Sequence, residues 1–397
     1  MCPRYQPLTE DWRTFWGPGS PRIVCDEQLA AGGATHRAHG NEDQEEEIKG
    51  HLERMPTVGV ALFGVGRAGG IHFPNLASNN DVSIRWLVDV TAMKDKALML
   101  CTKYGVDTAR FLSVEDSQKV FDDEETHAVI IGTPTRFHEE LIKRAVRAGK
   151  DVFCEKPITF STDAVVSCYA EAQKYGRILF CGFNRRFDAD HIRLREKVQS
   201  GQLGNLRFVH YMARDCKQVS DYIRTSGGIF IDSAIHMLDY VPWLVGEKPS
   251  SLVVTGSCTS SVAAVYEQVD DVDSTIINLQ FPSGCYAVLE ITRELPAHFV
   301  SCYHRYEVVG TEDCILMHKT NDNTLISFAM DGSDRQEQAT PSYWCSYKME
   351  MDCFIRVVQG LEECPLTPES VIQAHALAEL CRTSLKEQRF VSAEDMG

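Results

Sequence analysis

From Thr57 onward the chain alternates short apolar runs with amphipathic stretches. "TVGVALFGVG" is an almost unbroken apolar run, the pattern of a strand buried on both faces. "AGGIHFPNLASN" reads as a helix, "VSIRWLVDV" as a second strand, and "AMKDKALMLCTKYG" as a helix that stops at Gly105. "ETHAVIIGT", "KDVFCEKP" and "RILFCGFNRRF" follow as strands, separated by the helical stretches "RFHEELIKRAVRAG" and "STDAVVSCYAEAQKYG". Strands and helices that alternate through short links predict a parallel, doubly wound α/β sheet.

The alternation weakens after about residue 187. "DADHIRLREKVQSGQLG" looks helical, "NLRFVHYMARD" looks like a strand, and "GGIFIDSAIHMLDYVPWLVG" reads as a helix entered through a glycine pair. Strand-like runs come next: "SLVVTGSCTSSV", "STIINLQFPSG", "CYAVLEITREL", "HRYEVVGTEDCILMH" and "NTLISFAM". "PSG", "GTED" and "DGS" suit hairpin turns. The expected layout is a Rossmann domain over residues 56–180 and an α/β domain with a mostly antiparallel open sheet over 181–397. "YKMEMDCFIRVVQG" and "PESVIQAHALAELCRTSLK" are its late helices, the final one able to pack back on the first domain. Residues 1–55 lack periodicity and end in an acidic run, so they read as a disordered extension. Trp12, Phe15 and Trp16 are its only docking candidates.

Composition narrows the function classes. The chain has 397 residues, 40 Lys plus Arg against 56 Asp plus Glu, and a formal net charge of −16. Such a chain has no general attraction for nucleic acid or an anionic membrane. The 15 cysteines contain no CxxC pair and read as reduced thiols, which with the absence of a leader-like segment gives a cytoplasmic expectation. No cluster of His and Cys has metal-ligand spacing, so no metal is expected.

The first chemical signal is Gly64-Val65-Gly66-Arg67-Ala68-Gly69, a GxGxxG. Alone it is weak. Here it follows an apolar strand and opens a helix, as a dinucleotide pyrophosphate requires. Asp89, twenty residues past Gly69, ends the second strand and suits the adenosine ribose hydroxyls. A carboxylate there repels a 2′-phosphate, which favours NAD over NADP. Thr133, Pro134, Thr135 and His138 end another strand and are candidates for the nicotinamide side, and Thr135 also suits a helix cap.

Lys156 ends the next strand, between Glu155 and Pro157. It shares the crevice edge, and the proline restricts where it points. A protonated lysine there can polarise a substrate hydroxyl; read alone, it is a solvated strand end. Asp232 and His236 are four apart and so share a helix face, with Asp239 near the same stripe. Histidine is the natural acceptor of an alcohol proton. The plainer reading makes Asp232 a cap and His236 a core histidine.

Together these pieces resemble the glucose–fructose oxidoreductase, inositol dehydrogenase and MocA (Gfo/Idh/MocA) family from about Thr57 to Val391. "GVGRAGGIH", "GTPTRFHEEL", "CEKPI", "GFNRRFD", "SGGIFIDSAIHMLDYVPWLVG" and "HRYEVVGTED" occur in the family's order. "GFNRRFD" with the "SGGIFID" segment is most similar to inositol 2-dehydrogenases. The resemblance implies a Rossmann domain, an open-sheet domain used to form homo-oligomers (dimer or tetramer), and a catalytic set of Lys156, Asp232 and His236. Cofactor contacts extend to Glu155 and Lys156, and substrate contacts to Arg186 and Asp215. It implies NAD-dependent oxidation of a cyclic polyol or sugar, myo-inositol first. Met237 after the histidine, Cys216 after "ARD", and "ELPAHFVSCYHRYEV" depart from the inositol enzymes' pattern. Those departures keep another sugar, inositol isomer or diol as an alternative. A catalytically silent nucleotide sensor is the rival from another class, and a proton acceptor at His236 counts against it. "CEKP" counts against an S-adenosylmethionine enzyme.

Overall fold

Every residue of Val58–Phe63 (β1) is buried, as a strand covered on both faces requires. The computed structural model describes residues 57–216, 218–295, 303–320, 324–329, 335–339, 343–392 and 395. The stretch read as an extension, with Trp12, Phe15 and Trp16, lies outside them.

After β1 come α1 (Arg67–Ala77), β2 (Val82–Asp89), α2 (Lys94–Tyr104), β3 (Arg110–Ser113), α3 (Gln118–Asp122), β4 (Ala128–Ile131), α4 (His138–Arg147), β5 (Asp151–Glu155), α5 (Thr162–Lys174) and β6 (Leu179–Gly182). The strands form one sheet in the order β3-β2-β1-β4-β5-β6. All pairs are parallel. The order reverses between β1 and β4, the point beyond whose strand ends sheets of this kind bind their ligands. Helix α2 ends at Gly105, whose φ of 66° is left-handed.

The second sheet carries the rest. Its region contains α6 (Ala189–Gln199), β7 (Leu206–Cys216), α7 (Ser220–Thr225), α8 (Ile235–Val245), β8 (Ser251–Ser257), α9 (Ala263–Gln268), β9 (Ser274–Gln280), β10 (Tyr286–Leu295), β11 (Tyr303–Gly310), β12 (Cys314–Thr320), β13 (Thr324–Ala329), β14 (Arg335–Ala339), α10 (Tyr343–Val358), α11 (Pro368–Glu387) and β15 (Val391–Ser392). The order is β14-β13-β12-β11-β7-β10-β9-β8-β15. Only β7 and β10 run parallel; the other neighbours are antiparallel. The "GTED" turn joins β11 to β12 through Gly310 N–H, which donates to Asp313 O at 2.9 Å.

Two features depart from the sequence reading. Helix α9 occupies a stretch with no apolar period. The segment after the glycine pair is not a plain α-helix: Phe230–Ala234 is a π-turn that runs into α8. The late helices also serve the first sheet. Phe354 of α10 packs its ring 5.7 Å from Phe153 and 5.6 Å from Phe180. Glu379 of α11 accepts the Thr162 N–H at the start of α5 at 2.9 Å. One buried cluster therefore runs through both sheets.

Candidate active site

The glycine loop is built for close approach. Gly64 has φ +89°, and a Cβ on it would stand 2.7 Å from Gly132 O. A Cβ on Gly69 would stand 1.9 Å from Gly64 O. These two positions bring loop, helix and β4 together at a distance no other residue permits. Gly66 instead faces open space at the start of α1, where a phosphate can meet backbone N–H groups. Asp89 Oδ2 accepts the Val65 N–H at 2.8 Å and Oδ1 the Val90 N–H at 2.7 Å. Its remaining lone pairs suit ribose hydroxyls. Thr133 Oγ1 is buried with no hydrogen-bond partner among the described residues. An open helix end, a strand-end carboxylate and an orphaned hydroxyl fit a dinucleotide along this edge.

Lys156 stands at the end of β5, and its bond to Pro157 is cis. Lys156 Nζ donates to the backbone O of Asp232 at 2.7 Å and lies 3.4 Å from Asp232 Oδ1. The π-turn that presents Asp232 leads into α8, where His236 is half-buried. Such turns recur at functional sites. His236 Nδ1 is buried and without a hydrogen-bond partner among the described residues. Burial first, then the charges of Lys156, Arg185, His304 and Arg67, push His236 well below the usual histidine range. The imidazole is therefore neutral near pH 7 and able to take a proton.

Glu155 ties the strand end to α1: its Oε1 lies 2.6 Å from His72 Nε2. Burial alone would raise this carboxyl, but His72, Lys156 and Arg67 together bring it below its ordinary value. Arg67, on the first turn of α1, thus reaches toward Glu155, and its charge is felt by His236 and Tyr222 as well. Ala68 packs under the loop, in contact range of a Cβ on Gly132.

Several residues expected at the site have other partners in the fold. His138, expected on the nicotinamide side, is 1% exposed, with Nδ1 3.0 Å from Pro157 O and Nε2 2.8 Å from Thr133 O. It clamps the two crevice loops to each other. Thr135 caps no helix; it opens a short 3-10 turn capped by Pro134, with no side-chain bond. Arg186, expected at the substrate, is engaged elsewhere in this structure. Its guanidinium forms a buried fork with Asp239, Nε–Oδ2 2.8 Å and Nη2–Oδ1 2.5 Å. Met237 is fully buried in the core, so that departure does not line the site. Asp215 sits half-buried on β7, near enough to Tyr211 to affect its ionisation.

Other residues gather around Asp232 and His236. Arg185, the neighbour of Arg186, is one of the cations around His236, and its Nη2 lies 3.4 Å from His304 Nε2. Arginine only donates, so His304 Nε2 accepts and its Nδ1–H donates to Tyr211 Oη at 2.7 Å. Tyr222 on α7 donates to Asp232 Oδ1 at 2.7 Å. Arg293 on β10 is fully buried beneath Asp232 and paired with Asp271. One signal was present: Arg293 follows Ala287, Leu289 and Ile291 on the buried parity of its strand. A charge at that parity demands a partner. Among the described residues no group of three or more His, Cys, Asp or Glu could hold a metal ion, and no helix is long and apolar enough to cross a membrane.

Two family models match the chain. One, described as an oxidoreductase family NAD-binding Rossmann fold, covers residues 58–183. The other, the C-terminal α/β domain of the same oxidoreductase family, covers 195–393. Myo-inositol 2-dehydrogenase of Thermotoga maritima is 31% identical over 342 residues, 85% of this chain and 99% of that protein. Inositol 2-dehydrogenase of Rhizobium meliloti is 30% identical over 85% of this chain and 99% of that protein. A crystal structure of a myo-inositol dehydrogenase from Corynebacterium glutamicum superposes with a TM-score of 0.71 at 27% identity, covering 85% of this chain and 99% of that one. The loop geometry and both matched domains agree: this chain is an oxidoreductase of the Gfo/Idh/MocA family with an NAD-binding Rossmann domain.

Proposed function

We propose that this chain is an NAD-dependent dehydrogenase that oxidises a secondary alcohol of a cyclic polyol, myo-inositol first, to its 2-ketone. The observation that carries the reading is the meeting of Lys156, at the cofactor edge, with a neutral His236 whose ring nitrogen lacks a partner. NAD, when bound, supplies the acceptor for the hydride that leaves the carbinol carbon. His236 takes the hydroxyl proton, and Lys156 donates a hydrogen bond to the same oxygen as charge develops on it. Asp232 holds the lysine. Arg185 and Asp215 present a donor and a carboxylate to the remaining ring hydroxyls, which selects ring orientation, and His304 holds Arg185 in place.

The named activities of the Thermotoga and Rhizobium relatives support this substrate class. A protein that only sensed the nucleotide would have no use for an unprotonated imidazole beside a lysine. Self-association through the second sheet is part of the same proposal. The face away from the helices exposes Tyr286 and Ile276, 48% and 41%, and a second copy would cover them; mass photometry reads the oligomer directly. The reading of function is tested with purified protein, NAD or NADP, and a panel of inositols, sugars and diols, followed by absorbance of the reduced cofactor. Turnover with myo-inositol and NAD supports it. Turnover only with a sugar or a diol moves the substrate within the family, and NAD binding with no turnover on any polyol sinks the enzyme reading.

A further inference from the structure

The Asp232 carboxylate is held from three sides, and His236 is not among its hydrogen-bond partners. Oδ1 accepts the Tyr222 hydroxyl at 2.7 Å, while Lys156 Nζ stands 3.4 Å from the same oxygen. Oδ2 lies 3.5 Å from Arg293 Nη1. Arg293 is in turn fixed by Asp271, whose Oδ1 accepts the Ile229 N–H at 2.9 Å. A lysine and a carboxylate left to themselves close to about 2.8 Å; here the tyrosine holds the short contact.

We infer that Tyr222 is a positioning residue: its hydroxyl and Arg293 pin the Asp232 carboxylate so that it cannot close on Lys156, which leaves lysine protons for the substrate oxygen. This rests on Lys156 being the substrate-facing cation of the proposed function. Tyr222 is a donor at every working pH, because burial and then the Asp232 charge raise its own ionisation above the usual phenol range. The charged and titratable groups that face Lys156 are Asp232 from the π-turn, Glu155 from its own strand and His236 from α8. Arg67 acts on that set through Glu155 and His236. Of these, only Asp232 is touched by Tyr222, so removing the hydroxyl changes one interaction of the lysine.

Tyr222→Phe is the test, and its loss of one hydroxyl on a short helix with exposed neighbours Asp221 and Arg224 leaves the fold intact. In the full chain, reductive ¹³C-methylation gives a Lys156 resonance, assigned by its absence in Lys156→Arg. At fixed pH the resonance is expected to change its chemical shift in Tyr222→Phe relative to the wild type, as the carboxylate closes on the ammonium. With substrate, kcat falls about tenfold, the worth of one hydrogen bond to a charged group, while KM for NAD stays put. Site-specific 3-fluorotyrosine at position 222 keeps the hydroxyl and so keeps wild-type turnover. An unmoved lysine resonance in Tyr222→Phe overturns the inference. A resonance that moves in Tyr222→Phe, together with a wild type that oxidises no polyol, leaves the inference standing and defeats the function.

Discussion

Lys156 Nζ donates to the backbone oxygen of Asp232 at 2.7 Å, while the carboxylate of the same residue stands off at 3.4 Å. The lysine is thus held by a neutral carbonyl and only flanked by a charge. That arrangement keeps a cation at the crevice edge without burying it in an ion pair. Lys156→Ala should lose turnover by about a hundredfold or more, the scale of one lost electrostatic contact to a developing oxyanion. NAD binding, followed by quenching of protein fluorescence, should persist, because the glycine loop and Asp89 are untouched. Full activity in the variant would make the lysine a bystander.

The neutral state of His236 sets a pH dependence. Its pKa lies below the usual histidine value, so the ring gains its proton only at lower pH. The acidic limb of kcat/KM should therefore fall below the ordinary histidine range near pH 6.5. His236→Gln should lower kcat by about 10² to 10⁴ and abolish that limb. A limb at the ordinary value, unchanged in the variant, would assign the proton to another group.

Adjacent arginines should behave differently. Arg186→Met breaks a buried fork and leaves Asp239 uncompensated, which costs about 3 kcal/mol or more of stability. Arg185→Met should lower kcat/KM for the polyol, with a much smaller drop in Tm. Thermal melts and steady-state kinetics on the two variants separate the roles.

Glu350 on α10 is fully buried, and neither carboxyl oxygen has a hydrogen-bond partner among the described residues. Burial, with Glu155 and Asp239 nearby, pushes its pKa well above the usual carboxylate value. The folded state keeps the proton while the unfolded chain releases it, so stability falls as pH rises above the unfolded value of about 4.3. Glu350→Gln removes that dependence. Its Tm should match or exceed the wild type's at pH 5, and the gain should widen toward pH 8. A gap that narrows with rising pH would mean the carboxyl ionises in the fold.

Much of this was legible before the fold was seen. Period and punctuation located β1, the glycine loop, Asp89 and Lys156, because a dinucleotide site is assembled from consecutive strand ends. The contacts from the second sheet were not. "NRRFD" offers two arginines that differ only in which way a 3-10 turn points them, and the turn gives Arg186 to Asp239 and Arg185 to the site. His138 looks like a cofactor contact from its place after β4, yet one helical turn aims it inward at two carbonyls. Phe354 and Arg293 reach their partners across long sequence separations, which no local pattern encodes.

The most direct measurement follows the hydrogen on the reacting carbon. Myo-inositol deuterated at C2 is incubated with the enzyme and NAD, and the nicotinamide product is read by mass spectrometry. Deuterium in the reduced cofactor, lost together with turnover in Lys156→Ala and His236→Gln, is the predicted result. Reduced cofactor without the label, or labelled product undiminished in both variants, would contradict hydride removal from a carbon held by these two residues.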